Sequence, residues 1–321
     1  MCPRGQFIQR NPPKTSELWA ACDGQVDTKC ATYCYSGYFS GNENESLVDI
    51  SYWTDWVNRR MTHIRRVARK IQCFIAPSYY LYNRYLQNFS LSANKLIYLD
   101  YGFDLQQLTN RQRIPNEPFT FGYIGTHIPA KGIQHLIQAF AQVKENCQLR
   151  IWGRFRLQNT DGLKAIVTKL PLETQSRIIW LPEYNNKKLV ETVCNHVDCI
   201  VVPSIWVKNS PLVIHEALQV RIPVITADVG GMAEYVHHKV NGLLFQHRNV
   251  HALSKQMQRL VDNPAWSKKL GSRGYLQSED GNIPNLASHI AAIEKIYLRL
   301  IEIYLRLIEN YKIGKELKLI G

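Results

Sequence analysis

Short apolar runs alternate with helical segments over the second half of the chain. From about residue 118 onward, runs of four to six mostly apolar residues recur, and between them apolar residues return every three or four positions. The first pattern is typical of buried strands and the second of amphipathic helices. Strands are predicted at 119–124, 148–152, 177–181, 198–202, 222–227 and 242–245, and helices from 132, at 163–170, at 186–195, from 210, after 231 and at 250–261. This alternation predicts a complete α/β domain with a parallel sheet over residues 118–275.

The preceding part of the chain is less regular. Residues 1–47 are rich in Gly, Asn, Ser, Pro and Cys without sustained periodicity, and they are predicted to be irregular. A basic helix at 52–72, a strand at 73–76, a helix at 79–86 and a strand at 95–99 are predicted to follow. Residues 104–118 have the Gln, Asn, Arg and Pro content of an interdomain linker. Residues 1–117 are therefore interpreted as a partial N-terminal domain.

The C-terminal tail contains an internal repeat. The heptad IYLRLIE occupies 296–302 and again 303–309. A copied heptad lengthens a helix by two turns and keeps Leu298, Ile301, Leu305 and Ile308 on one stripe. Residues 276–321 are thus predicted to form a helical tail. A recent tandem duplication explains the repeat, and a membrane-surface or partner-binding helix is the functional alternative.

The net positive charge of the chain indicates which classes of partner to expect. A net charge of +13 over 321 residues favours an anionic partner, and no DNA- or RNA-binding signature accompanies it, so no nucleic acid is expected. No apolar stretch approaches the ~20 residues of a membrane span, and the first residues lack the apolar core of a signal peptide. We expect a cytoplasmic protein, with peripheral contact at the inner membrane face as a further expectation.

The eight cysteines form two groups. Cysteines at 73, 147, 194 and 199 lie in or beside apolar segments, as small core residues do. Four others, Cys2, Cys22, Cys30 and Cys34, lie in the polar N-terminal region, where a zinc site and unligated thiols are both compatible with the spacing.

The stretch 203–216, PSIWVKNSPLVIHE, carries the candidate chemistry. It follows a predicted strand, and Ser210 and Pro211 are suited to the N-cap and first position of a helix. A helix that begins beyond the carboxyl end of a strand presents free N–H groups and a positive dipole end, which bind phosphate. Glu216, inside that helix, is suited to accept hydrogen bonds from a ribose diol. The alternative is an ordinary strand-loop-helix with a surface glutamate.

Several motifs around this stretch occur in a fixed order. They are FGYIGTHIPAKG, the strand end IWG, LPEYNNKKLVETVCNHVDCIVVPS, NSPLVIHEALQVRIPVITADVGGMAEYV and NGLLF. Together, over residues 119–261, they resemble the nucleotide-sugar domain of family-4 (group 1) glycosyltransferases of the GT-B type. SYYLYNRYL and LIYLDYGFD resemble the end of that family's N-terminal domain. The resemblance implies an α/β protein with a complete C-terminal Rossmann-like domain and a partial N-terminal one.

The resemblance also implies a reaction. It is transfer of a hexosyl-type sugar from a nucleotide-sugar donor to a polysaccharide, lipid-linked or other glycan acceptor, with retained anomeric configuration and without a metal ion or other cofactor. Consistently, the sequence contains no Asp-x-Asp pair. Lys131 would pair with the donor phosphates, Gly125 would let its loop approach them, and Glu216 would hold the ribose hydroxyls. The residues expected at the site are Lys131, Lys208 and Glu216 for catalysis, and Gly125, Thr126, Lys131, Asn209, Ser210, Pro211, Leu212 and Glu216 for the donor.

This chain departs from the family's pattern in three respects. Lys208 stands eight positions before Glu216, where the family has a second glutamate, and Thr126 stands where many members have an arginine. The opening βαβ units of the N-terminal domain, with their usual catalytic histidine, are not recognisable. We therefore expect the N-terminal part to be poorly stable unless a partner covers it.

Three functional interpretations remain. The chain is a glycosyltransferase of cell-surface polysaccharide assembly, or a catalytically impaired nucleotide-binding remnant or subunit that needs a partner chain, or a basic interaction module without a nucleotide site. The third requires that Lys131 and Glu216 can be replaced without loss of function.

Overall fold

A computed structural model describes residues 2, 22, 24–40, 46–89, 91–114, 118–144, 146–153, 161–207 and 210–317. Its strands are β1 (Phe74–Ala76), β2 (Leu96–Tyr98), β3 (Phe119–Ile124), β4 (Cys147–Trp152), β5 (Ile178–Leu181), β6 (Cys199–Val202), β7 (Val224–Ala227) and β8 (Gly242–Phe245). Its α-helices are α1 (Asp27–Cys30), α2 (Ser46–Lys70), α3 (Tyr79–Phe89), α4 (Ile133–Phe140), α5 (Asp161–Thr168), α6 (Leu172–Ser176), α7 (Leu189–Thr192), α8 (Leu212–Gln219), α9 (Met232–Tyr235), α10 (Val250–Asp262), α11 (Pro264–Ser272) and α12 (Leu286–Leu317).

The second half of the chain folds around a six-stranded parallel sheet with the order β5-β4-β3-β6-β7-β8. The predicted parallel α/β fold is confirmed. Strands β4 and β5 lie on one side of β3, and β6, β7 and β8 lie on its other side. This order is typical of dinucleotide-binding sheets. The strand order therefore reverses between β3 and β6, and ligands of such sheets bind at that point, beyond the carboxyl ends of the strands.

The core of this half follows from the continuous apolar strands. Strands buried on both faces carry apolar residues at successive positions, and β6 and β7 are buried at every position. Helices α4 and α10 pack against each other, while α8 packs on β6 and β7.

The segment predicted as a linker is bonded to the second half. Arg113 forms an ion pair with Asp198 at 2.8 Å, and Arg111 donates to the carbonyls of Cys194 and Val197. At 186–195, where one helix was predicted, the chain forms α7 between two 3₁₀ turns.

Helix α11 was missed by the sequence analysis although it carries a start signal. The Asn263 side chain accepts from the Trp266 N–H at 3.0 Å, and Pro264 occupies the first helical position. Asn as N-cap followed by Pro is a standard helix opening. The sequence prediction instead ends the last helix of the domain at 261 and places no helix at 264–272.

The first half holds two small cores and a two-stranded parallel sheet of β1 and β2. Cys30 and Cys34 lie in one core with Val57 and Met61, and burial raises the pKa of Cys30 to about 11, as for a protonated core thiol. Within the described residues there is no group of three or more His, Cys, Asp or Glu side chains that could hold a metal ion. Leu47 and Val48 on α2 are 76% and 71% exposed. The expected low stability of this half stays a prediction.

Helix α12 carries the repeated heptad and confirms the predicted helical tail. Its first turn packs on the first half: the Leu286 N–H donates to the Phe103 carbonyl, and a Cβ on Gly102 would lie 2.4 Å from His289 Cβ. Farther along, Tyr297, Leu298 and Leu305 are exposed. Searched over its described residues, the chain has no helix that is long and apolar enough to cross a membrane.

Gly132 gives a test of how closely α4 approaches β6. It has φ +74°, and a Cβ there would lie 1.8 Å from the Pro203 carbonyl oxygen. We expect Gly132→Ala to lower the free energy of unfolding by about 2 kcal/mol or more, because it adds a steric clash to an unfavourable backbone conformation. Urea denaturation measures this.

Gly125→Ala is the matched control. Its φ is +154°, but the nearest atom to an added Cβ is 3.4 Å away, so the loss of stability should be smaller. Equal losses in the two variants would contradict a clash at Gly132.

Candidate functional site

A cavity of about 560 Å³ opens beyond the carboxyl ends of β3 and β6, where the strand order reverses. Its walls come from α3, from the end of β3 and the turn after it, from the loop after β5, and from residues 206–207 and 210–216. The lining residues are Tyr80, Leu81, Arg84, Ile124, Lys131, Tyr184, Asn186, Trp206, Val207, Ser210, Pro211, Leu212, Val213 and Glu216. The cavity therefore lies between the two halves of the chain.

Helix α8 begins at this cavity, one residue later than predicted. Pro211, with φ −75° and ψ 118°, occupies the N-cap position, and no side chain caps the helix. Ser210 as N-cap is therefore wrong: its buried hydroxyl lies near Tyr235 instead. The first N–H groups of α8, at Leu212 and Val213, point out of the helix start without intrahelical acceptors, as the geometry of any helix requires.

Lys131 closes a 3₁₀ turn just before α4. Its ammonium lies 5.9 Å from the centre of the Trp206 ring, a cation–π distance. The backbone N–H of Trp206 donates to the Ala130 carbonyl at 3.1 Å, and this hydrogen bond joins the 3₁₀ turn to the loop after β6. In the described part of the chain Lys131 forms no ion pair.

Glu216 lies one turn into α8, on the side facing the cavity. It is half-buried, and burial raises the pKa of its carboxyl group, an effect that His215 partly offsets. Tyr184 is near enough for Glu216 to contribute to the raised pKa of its phenol, after the larger effect of burial. No described residue donates a hydrogen bond to the Glu216 carboxylate, so both oxygens remain available to a ligand.

Gly125 and Thr126 line a second cavity of about 380 Å³ that shares Ile124, Tyr184 and Asn186 with the first. The Tyr123 hydroxyl donates to the Thr126 carbonyl at 2.9 Å and holds this loop. The structure thus brings Lys131, Glu216, Ser210, Pro211 and Leu212 to one cavity and places Gly125 and Thr126 beside it. Lys208 and Asn209 lie outside the described residues.

A buried pair of Asp100 and His215 anchors α8. His215 Nε2 lies 2.9 Å from Asp100 Oδ2, and these side chains are 0% and 5% exposed. The Tyr275 hydroxyl donates to the same carboxylate at 2.6 Å, and Phe103 stacks on the His215 ring. Burial alone would raise the pKa of Asp100, but hydrogen bonding and charge attraction from His215, with the Tyr275 bond, hold it below its usual value. The pair joins the loop after β2 to the helix that carries Glu216.

Helix α9 anchors the opposite wall of the cavity. The two carboxylate oxygens of Glu234 accept from the N–H groups of Tyr79 and Tyr80, at 2.6 and 2.9 Å. A carboxylate at a helix start satisfies free N–H groups and complements the dipole. The Tyr235 hydroxyl donates to the Pro77 carbonyl at 2.7 Å. Helix α3 is thereby held against the second half of the chain.

Several lining residues were not predicted from the sequence. Arg84 and Tyr80 come from α3, Tyr184 follows β5, and Trp206 lies between β6 and α8. The loop residues at 184 and 206 follow strands, so the rule that ligands bind at strand ends could have found them. Arg84 carries no such signal, because it lies in a helix of the first half.

The order of the parallel sheet, with a helix start at its reversal point, defines an α/β protein of the Rossmann-like class. The family of "glycosyl transferases group 1" matches residues 106–277, which is more than half of the chain. The protein belongs to this family.

Proteins of similar sequence are also described as glycosyltransferases. The capsular polysaccharide biosynthesis glycosyltransferase CapM of Staphylococcus aureus is 23% identical over 227 residues, covering 64% of this chain and 56% of CapM. An uncharacterized glycosyltransferase of Methanocaldococcus jannaschii is 26% identical over 143 residues, covering 44% of this chain and 35% of the relative. The chain spans about half the length of the relatives it matches.

Solved structures share the fold. Sucrose-phosphate synthase from Thermosynechococcus elongatus matches with a TM-score of 0.63 and 22% identity, over 76% of this chain and 62% of the other. HepE of Anabaena, solved in complex with UDP-glucose, matches with a TM-score of 0.63 and 19% identity. The match covers 80% of this chain and 77% of HepE. These likenesses confirm the GT-B-type α/β fold.

The Asp100–His215 pair should dominate local stability. We expect Asp100→Asn to cost about 3 kcal/mol of unfolding free energy, because it removes the charged partner of a buried pair. Chemical denaturation measures the loss. Asp55→Asn, which breaks an exposed ion pair with Arg59 on α2, is the control and should cost less than about 1 kcal/mol. Similar small losses for both variants would show that the buried pair contributes little.

The raised pKa of Glu216 gives a pH-dependent prediction. A carboxyl whose pKa is higher in the folded protein is costly to ionise there, so stability falls as pH rises through that range. We expect Glu216→Gln to melt at a higher temperature than the parent at pH 7, and the difference to vanish below about pH 4. Glu191→Gln, at an exposed position of α7, should show no such pattern. A lower melting temperature for Glu216→Gln at pH 7 would refute the expectation.

Proposed function

We propose that this protein is a glycosyltransferase that transfers a hexosyl-type group from a nucleotide-sugar donor to a glycan or lipid-linked acceptor, with retained anomeric configuration. One observation carries the proposal: Lys131, the start of α8 and Glu216 line one cavity at the reversal point of the sheet. A cation and helix N–H groups suit a diphosphate, and a carboxylate with free oxygens suits a ribose diol. The solved complex of HepE with UDP-glucose makes UDP the first nucleotide to test.

In the proposed reaction, the bond between the sugar and the diphosphate breaks and negative charge grows on the leaving phosphate. The Lys131 ammonium and the N–H groups at Leu212 and Val213 would stabilise that charge. They are held in place before the reaction, by the Trp206–Ala130 bond on one side and by the Asp100–His215 pair on the other. Pre-organised donors of this kind lower the barrier without rearrangement.

We propose that this chemistry proceeds without a metal ion. The proposal rests on the chemistry of the lining groups: among the described residues of the main cavity, the charged ones are Arg84, Lys131 and Glu216. Cations and amide donors take the part that a metal held by paired carboxylates would play toward a diphosphate. Glu216 alone offers one carboxylate, and its proposed ligand is the ribose.

A peripheral position at the membrane belongs to the same proposal. The net charge of +13 suits an anionic bilayer surface. A lipid-linked acceptor would place the reaction at a membrane. CapM is a protein of capsular polysaccharide biosynthesis, which supports a polysaccharide precursor as acceptor.

A second candidate is a nucleotide-binding remnant, or a subunit that requires a partner chain. Lys208 favours it, because the resemblance places a carboxylate eight positions before Glu216. A lysine at that position would attract phosphate without accepting hydrogen bonds from the donor sugar. This candidate retains nucleotide binding and loses transfer.

Calorimetric titration of UDP, GDP and ADP tests the site. We expect one nucleotide to bind, and Glu216→Gln to weaken it about 10- to 100-fold, because hydrogen bonds to the charged carboxylate are weakened. Lys131→Met should weaken the binding of the nucleoside diphosphate but leave the affinity for the nucleoside unchanged. Lys188→Met, at an exposed position, is the control for lost charge.

Assays of sugar transfer and donor hydrolysis then separate the two candidates. Turnover by the parent chain supports the transferase. Binding without turnover, with activity gained in Lys208→Glu, supports an impaired enzyme. If no nucleotide binds to the folded chain, the proposed function fails.

A further inference from the structure

Helix α12 carries apolar residues on two sides. On its inner side Ile293, Ile296 and Leu300 recur every three or four positions and are half-buried against the protein. On the opposite side the apolar residues are between 53% and 67% exposed. These residues form the outer stripe, which consists of Tyr297, Leu298, Ile301, Tyr304 and Leu305. A contiguous exposed apolar surface of this kind indicates a binding surface.

The repeated heptad gives the outer stripe the spacing of a coiled coil. Leu298, Ile301, Leu305 and Ile308 follow one another in steps of three, four and three residues, as core positions of paired helices do. From 301 to 307 every residue is exposed, so this part of α12 stands clear of the rest of the described chain. A strict seven-residue repeat favours packing against another helix.

The charged residues of this segment favour a second copy of the chain over an anionic membrane. Three positive and three negative side chains balance one another over 294–309, namely Glu294, Lys295, Arg299, Glu302, Arg306 and Glu309. A helix that binds an anionic bilayer surface is rich in Lys and Arg on its polar face, and here glutamates offset them. A balanced set of charges is instead suited to pair with the same set on an identical helix.

We propose that two copies of this protein associate through the outer stripe, with their α12 helices antiparallel. When the twofold axis passes near residue 303, Leu298 packs on the partner's Ile308 and Ile301 packs on the partner's Leu305. Each contact occurs twice about the axis, so four apolar layers form. Their removal from water drives the association.

The same register brings opposite charges together. Arg299 and the partner's Glu309 differ in height by two residues, or about 3 Å along the helix axis, and so do Arg306 and the partner's Glu302. In a parallel pair each charged residue is level with its own copy, and these opposite pairs do not form. Such charge pairs select the orientation of the helices more than they add affinity.

Sedimentation equilibrium of the full chain over a range of concentrations tests the surface. We expect a monomer–dimer equilibrium for the parent. Leu298→Glu and Leu305→Glu should each raise the dissociation constant of the dimer about 100-fold or more, because an unpaired charge would be buried at the interface. Leu172→Glu is the matched control and should behave as the parent, since this leucine of α6 is 82% exposed. Circular dichroism establishes that each variant is folded.

An exchange of charges tests the antiparallel register. The double variant Arg299→Glu, Arg306→Glu makes the flank of the stripe acidic, and the double variant Glu302→Arg, Glu309→Arg makes it basic. Each variant alone should dimerise more weakly than the parent. An equimolar mixture of the two should form dimers that contain one copy of each, which native mass spectrometry identifies.

The proposal is overturned if the parent is monomeric at every concentration, if the two leucine variants leave its dimer unchanged, or if the mixed charge variants form no dimer. A monomeric parent that binds anionic vesicles, with binding lost in Leu305→Glu, overturns it in favour of a membrane surface. No nucleotide is present in these measurements, so failure of the proposed function does not change their outcome.

Discussion

The buried pair of Asp100 and His215 is the interaction on which the arrangement of the cavity depends. Two ionisable groups removed from water are stable only when each meets its partner with good geometry, and here two tyrosines and an aromatic ring complete the enclosure. His215 precedes Glu216 directly in α8, so the pair fixes the position of α8 along its axis and its rotation about that axis. Glu216 is thereby held facing the cavity. The first half of the chain supplies the aspartate, and it therefore takes part in positioning the wall of the cavity that α8 forms.

Continuous apolar strands and their order made the second half predictable. The runs at β3 and β8 have the predicted bounds, and Lys131 and Glu216, which the motifs between them single out, line one cavity. The start of α8 was missed by one residue, because Pro211 can serve either as N-cap or as first helical residue, and local sequence does not distinguish the two.

Contacts between distant segments account for what the sequence could not provide. Asp100 and His215 are 115 positions apart, and neither has a periodic or compositional signal that points to the other. Arg84 lines the cavity from α3, whose first N–H groups bind Glu234, more than 150 positions later. Likewise, Arg111 donates to the carbonyls of Cys194 and Val197, more than 80 positions later, and no local pattern indicates these contacts.

The return of α12 to the turn at Tyr101 and Gly102 has a consequence for the order of folding. His289 Nδ1 meets the Asp100 carbonyl at 2.8 Å, across a separation of 189 positions. Contacts of such high sequence separation close late, since a long loop must be ordered before they form. During synthesis on the ribosome, the surroundings of Asp100 stay incomplete until α12 has emerged. The sheet can assemble before that moment, whereas the joining of the two halves waits for α12.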